Sequence, residues 1–259
     1  MRALMGMTLM AATLLLPALA TAQQSNEQPL CFSRDSTVAL EQRIASCTAQ
    51  VDADQLSPAR LALAFNNRGL AFLFKKQYDR AIKDLGKAIE VDPNYAAAFH
   101  NRGNAYRNKG RYDLAVADYD RAIALDPNFT TAYFNRGIAY QEMAQWDFDA
   151  YLNDGLFDDR AIADFDQVIS RNPRSHSSLN NRANSYLSKR QFDRAIADYD
   201  EAIRLDPNSA LYVKNRGNAY RIMGQRDRAI EDYRKALTLK IDGSLKKFLE
   251  TALTELGAA

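Results

Sequence analysis

FHNRGNAYRNKGRYDLAVADYDRAIALDPN, residues 99–128, reads as two helices and two stops. Phe99, Gly103 and Tyr106 follow one another at steps of four and three, and Ala115, Tyr119 and Ala122 do the same further on. Each half therefore lines its small and aromatic residues along one side of a helix. Gly110 ends the first half, and Asp126-Pro127-Asn128 ends the second, because the residue before proline is biased away from helical geometry. Gly103 and Ala115 have little or no side chain, so the two helices are expected to approach closely. One such pair cannot cover its own apolar side, whereas a neighbour stacked on it can.

The unit recurs. Asn-Arg-Gly begins at Asn67, Asn101 and Asn135, returns as Asn181-Arg182-Ala183 and appears again at Asn215, giving spacings of 34, 34, 46 and 34. Pro93, Pro127, Pro173 and Pro207 keep the same register. Five units follow, at residues 62–95, 96–129, 130–175, 176–209 and 210–242. Phe99, Gly103, Tyr106, Ala115, Tyr119, Ala122 and Pro127 stand in the order that marks the tetratricopeptide repeat, and the chain resembles that family over about residues 62–242. The resemblance implies an all-α, right-handed solenoid of five hairpins whose first helices line an inner, concave face.

The family's usual leucine before the glycine is replaced here by Arg68, Arg102, Arg136, Arg182 and Arg216, and each unit carries an aspartate on its second helix: Asp84, Asp118, Asp164, Asp198 and Asp232. One partly buried Arg–Asp pair per hairpin is expected, since a guanidinium fork suits a carboxylate and a buried charge needs a partner. The alternative is an arginine ladder for anionic ligands.

The ends have their own character. Arg2 precedes an apolar run from Leu4 to Leu16 and then Ala20-Thr21-Ala22, which reads as a signal peptide over residues 1–22 cleaved before Gln23, shorter than a bilayer span. An uncleaved membrane anchor is the other reading. Residues 23–61 form an N-terminal cap with a helix from Ser36 to about Val51, and residues 243–259 a closing cap with an amphipathic helix over Ser244–Leu256. Cys31 and Cys47 are the only cysteines, and in an exported chain their natural reading is a disulfide, against two free thiols or an exchanging pair. The net charge of +2 falls to +1 once Arg2 is removed, too little to hold nucleic acid or an anionic membrane.

Catalytic chemistry is not indicated. His100 and His176 lack a zinc-type partner, no serine sits in a nucleophile elbow, and no glycine-rich loop cradles phosphate. No cofactor, metal or catalytic residue is assigned, and features copied five times read as structural. The excess of the third unit is placed at residues 148–159, with Asp147 shared with the other units. It carries Phe148, Tyr151, Leu152, Leu156 and Phe157 among Asp149, Asp154, Asp158 and Asp159. It reads as an extended helix end plus turn, as a partner-binding flap, or as a calcium or ligand module.

The family geometry turns Asn67, Asn101, Asn135, Asn181 and Asn215 into the groove, flanked by His100, Phe134 and Lys214 and by Asn104, Asn184 and Asn218. Amides offer both donor and acceptor, so such a ladder either holds an extended peptide by its backbone or braces neighbouring helices. Lys214 with Asn218 resembles the start of the family's clamp for a C-terminal carboxylate, but the hairpins that would complete it are missing. The expected function is that of a periplasmic or secreted, non-enzymatic scaffold for a protein or extended peptide, in cell-envelope or secretion-complex assembly.

Overall fold

A computed structural model describes residues 30–33, 35, 37–146 and 155–258. Among them lie a 3-10 turn, Leu30–Phe32, twelve α-helices and no strand. In chain order the helices are α1 Leu40–Asp52, α2 Pro58–Phe74, α3 Tyr78–Val91, α4 Ala96–Asn108, α5 Tyr112–Leu125, α6 Thr130–Trp146, α7 Leu156–Arg171, α8 His176–Ser188, α9 Phe192–Leu205, α10 Ala210–Ile222, α11 Arg226–Leu237 and α12 Gly243–Glu255. The chain is an all-α solenoid of five antiparallel hairpins, α2/α3 to α10/α11, with α1 packed ahead of the first and α12 behind the last.

The stops act as the sequence implies. Asp92, Asp126 and Asp206, each before a proline, leave helical geometry with ψ of 93°, 93° and 84°. Inside the hairpins the turn residue adopts positive φ, at Gly110 (71°) and Gly224 (76°) but also at Lys76 and Arg190 (57° each), where a side chain bears the strain. Close approach is real at Gly103, where a Cβ would lie 2.7 Å from Tyr119 Cε1. The core is a file of small residues and large rings, with Tyr119, Phe165, Tyr199 and Tyr233 wholly buried.

Two boundaries differ from expectation. The N-terminal cap helix begins at Leu40; Ser36 lies outside the described residues, and Asp35 accepts from the amide and hydroxyl of Thr37, a local turn that competes with helix. In the third unit α7 begins at Leu156, so residues 156–159 of the excess are helical. Asp159 accepts from Lys189 Nζ at 2.6 Å, as Asp79 does from Lys109, and so holds the place expected for Asp147. Asp147 stands just before the excess and Asp159 ends it, so the gap slides by one residue without disturbing the register. Asp147, residues 148–154 and the signal-type segment 1–22 lie outside the described residues.

Candidate functional site: the inner face of the array

First helices of successive hairpins touch directly, α2 on α4, α4 on α6, α6 on α8 and α8 on α10, whereas second helices make no comparable contact among the described residues. The row of first helices is therefore the tighter side of the curve and forms the inner face.

The five arginines do not open onto that face as a ladder. Arg68, Arg102, Arg136, Arg182 and Arg216 each give Nε and Nη2 to Asp84, Asp118, Asp164, Asp198 and Asp232 of the same hairpin, over 2.6–3.0 Å. These side-by-side bonds hold the two helices of each hairpin together. Ionisation is favoured further: the guanidinium groups of Arg102, Arg182 and Arg216 are held above the usual arginine range chiefly by the hydrogen bonds they donate to their aspartates, and at Arg136 desolvation is the largest single effect but is outweighed by the bonds to Asp164 and Asp120. Asp164 feels the opposite push, its burial raising it despite Arg136.

A second carboxylate completes the arrangement. Nη1 of Arg136, Arg182 and Arg216 reaches Asp120, Asp166 and Asp200 on the preceding hairpin at 2.5–2.6 Å. The arginine thus ties its own hairpin and stitches it to the one before. Arg68 Nη1 takes Thr48 of α1 instead, and Arg102 Nη1 faces Gly86, 3.9 Å from a Cβ built there. The Asp-x-Asp pattern that carries this stitch is visible at 118/120, 164/166 and 198/200, yet only the first member of each pair was singled out by sequence.

The asparagines are largely committed to neighbours. Asn101 Nδ2 donates to Asn66 Oδ1 (2.9 Å), Asn215 Nδ2 to Asn180 Oδ1 (2.9 Å), and Asn135 Nδ2 lies 2.9 Å from His100 Nε2 and 3.0 Å from Asn104 Oδ1. Asn67 Nδ2 donates to the carbonyl of Cys31 (2.8 Å). At the corresponding place beside Asn181 stands Phe134, which has no acceptor to give. The Asn181 carbonyl takes Gln141 Nε2, and its side-chain oxygen takes Asn180 Nδ2. Asn104, Asn184 and Asn218 each accept the hydroxyl of a buried tyrosine, Tyr119, Tyr199 and Tyr233, at 2.6–2.7 Å. The signal is in the repeats themselves: where the asparagine becomes Leu70 or Ile138, the aromatic becomes Leu85 or Phe165, and no hydroxyl remains to satisfy.

His100 is packed against Phe129 and Tyr119, and burial pushes its imidazole below the usual range. A neutral ring whose Nε2 accepts from Asn135 fits that environment. Lys214 is also pushed down by burial and donates to Asn215 Oδ1 at 2.9 Å. Arg107 Nη1 stands 3.6 Å from Glu142 Oε1, and burial raises the Glu142 carboxyl. At the N-terminal end Val38, Leu40, Asn67, Leu70 and Phe74 line a recess of about 570 Å³, with Phe74 66% exposed.

Cys31 and Cys47 are bonded to each other and fully buried, tying the N-terminal turn to α1. Among the described residues no group of histidine, cysteine and carboxylates has the placement of a metal site. Asp158 is buried and accepts from Ser188 Oγ (2.7 Å), and Asp159 is held by Lys189, so half of the aspartates considered for calcium are occupied.

A stack of helical hairpins with one continuous inner face is the architecture of repeat proteins that offer an elongated surface instead of a pocket. Residues 69–110 and 103–143 match a family profile described as TPR repeat, and residues 176–209 and 213–240 match one described as tetratricopeptide repeat, together more than half of the chain. The chain belongs to the tetratricopeptide-repeat family. No curated protein sequence matches it. Solved structures similar to it include a MamA from Desulfovibrio magneticus RS-1 (20% identity over 71% of this chain and 96% of that one, TM-score 0.62). A thermophilic TPR protein of Thermus thermophilus is also similar (22%, 76% and 97%, TM-score 0.60). So is YrrB, described as a TPR protein with an unusual peptide-binding site (18%, 79% and 97%, TM-score 0.60). At these identities the likeness establishes the fold.

Proposed function

We propose that this protein is a non-enzymatic adaptor that holds a polypeptide against its inner face, in the periplasm or outside the cell, in the assembly of an envelope or secretion complex. The observation that carries the reading is an inner face built from five first helices, apolar at the Leu70 and Phe74 recess and again at Phe134 and Ile138 in its middle hairpin. Such a surface suits a chain lying along it, with side chains in the recess and over the apolar middle. Membership of a family of repeats supports binding over catalysis, and the peptide-binding site of YrrB supports a peptide as the occupant. Because Asn101, Asn135 and Asn215 spend their donors on neighbouring hairpins, the grip falls to the recess, to Phe134 and Ile138, and to Asn181. The Cys31–Cys47 bond supports an oxidising compartment. Among the described residues no helix is long and apolar enough to cross a membrane.

A photo-crosslinking side chain at Ile138 or Leu70, compared with one at Arg121 on a second helix, tests the proposal in envelope extracts. Adducts with one distinct polypeptide from the inner positions alone are expected. Adducts only from Arg121 would move the binding surface to the outer face and sink the groove reading.

A further inference from the structure

Residues 101–107 and 215–221 are the same heptapeptide, NRGNAYR, so Arg221 stands on α10 where Arg107 stands on α4. The two arginines meet different neighbours. Arg107 Nη1 faces a carboxylate on the first helix of the next hairpin, Glu142 Oε1, at 3.6 Å. Behind α10 the helix α12 packs on α11 in place of a further hairpin. Among the described residues Arg221 has no carboxylate within 4.0 Å; the ion pairs of this end belong to Arg216, Arg226 and Lys246. Glu255 acts on the Tyr233 hydroxyl beside Arg221 and forms no ion pair with it. The second hairpin therefore shows what this position takes, and the last hairpin leaves it untaken.

Lys214 lies two turns earlier on the same side of α10 and likewise has no carboxylate within 4.0 Å among the described residues. Burial pushes its ammonium below the usual lysine range, so an anion brought beside it gains more than it would in open water. Leu211 and Ile222 flank the two cations, and the ring of Phe248 on α12 lies 5.4 Å from Lys214 Nζ. These three are 48%, 50% and 41% exposed, half of the large apolar side chains that the described residues leave open. Seven residues of helix separate the cations by about 10 Å. One terminal carboxylate cannot meet both, whereas two acidic side chains a few residues apart on an extended segment can. With a net charge of only +2 the chain has no general field to hold a lipid surface, so recognition rests on these local contacts.

We propose that the α10–α12 end of the inner face binds an internal acidic segment of the partner polypeptide, with two carboxylates at Lys214 and Arg221 and apolar side chains over Leu211, Ile222 and Phe248. The inference rests on the adaptor reading and adds the composition of the occupant. Crosslinks from Ile138 and Leu70 decide the adaptor reading by themselves; a partner held there without any acidic preference leaves it standing and removes only the present proposal.

Fluorescence anisotropy of the purified protein tests it with two short labelled peptides blocked at both ends. One alternates Glu with Leu and Phe, and the other has Gln in place of every Glu. The Glu peptide is expected to bind at least about tenfold more tightly at an ionic strength of about 0.05 M, and the difference should shrink at about 0.5 M. Lys214→Gln with Arg221→Gln should abolish the preference. Arg121→Gln with Lys235→Gln, the same loss of charge on second helices, should keep it. Arg221→Gln alone, at an exposed position, should remove most of the preference and carries the test if the Lys214 substitution lowers the melting temperature. Equal binding of the two peptides, no binding of either, or a preference that survives Arg221→Gln overturns the proposal. Binding of phosphatidylglycerol vesicles, lost in the Lys214→Gln and Arg221→Gln variant, in place of the Glu peptide would also overturn it and assign the patch to lipid.

Discussion

Replacing Asn184 by isoleucine should destabilise the protein more than replacing Asn184 and Tyr199 together. Tyr199 is wholly buried and its hydroxyl donates to Asn184 Oδ1 at 2.6 Å. Removing the amide leaves that hydroxyl in the core without an acceptor, which costs about 1–3 kcal/mol. Tyr199→Phe alone gives up the bond but leaves Asn184 partly open to water, so a smaller loss of about 0.5–1.5 kcal/mol follows. The double variant recreates the Ile138/Phe165 combination of the third hairpin and removes both polar partners at once. Its expected loss lies below that of Asn184→Ile alone, which is a favourable coupling of about 1 kcal/mol or more between neighbours. Circular dichroism melts of the four proteins measure it, at roughly 2–4 °C per kcal/mol for a chain of this size. Losses that simply add would show that the hydroxyl and amide do not stabilise each other, and the pairing rule drawn from the five repeats would fall.

Asp118→Ala should cost about 3 kcal/mol, because Arg102 faces Gly86 and keeps no carboxylate. Asp198→Ala should cost less, since Arg182 keeps Asp166, and equal losses in urea titrations would refute the relay of carboxylates. Burial depresses the His100 imidazole, so the folded chain binds its proton less readily than the unfolded chain. The contribution is full above the unfolded value of about 6.5 and is lost as pH falls through the depressed folded one. His100→Gln should flatten that part of the stability–pH curve, and an unchanged slope would assign it elsewhere. Reducing the Cys31–Cys47 bond should remove about 3 kcal/mol from the N-terminal end, read as faster amide exchange in α1 than in α12.

The helices were legible because their signals are local: periodic apolar positions, glycine at the turn and the residue before proline each act within a few residues. The arginine–aspartate pairs were legible because five copies place both partners in fixed register, as at Arg102 and Asp118. What escaped were contacts between units. Asp120 meets Arg136 only once one hairpin is stacked on the next, and the two readings of Asn101, ligand grip or helix brace, are separated only when Asn66 is seen beside it. The excess in the third unit misled by one residue for a plainer reason, since aspartate stands both just before it and at its last position and only the Lys189 contact tells which one serves the hairpin.

The stitch between hairpins also limits how such an array can lengthen. Each junction from the third hairpin onward carries an aspartate on the outgoing second helix, and the last hairpin has Arg234 where its predecessors have Asp120, Asp166 and Asp200. A copy of residues 210–242 appended at the end would bring the duplicate of Arg216 against Arg234, cation on cation. Duplicating residues 176–209 in place would instead meet Asp200 or Asp166 at every new junction. A hairpin duplicated from the interior therefore keeps every stitch, whereas one copied from the end sets two cations against each other at its junction.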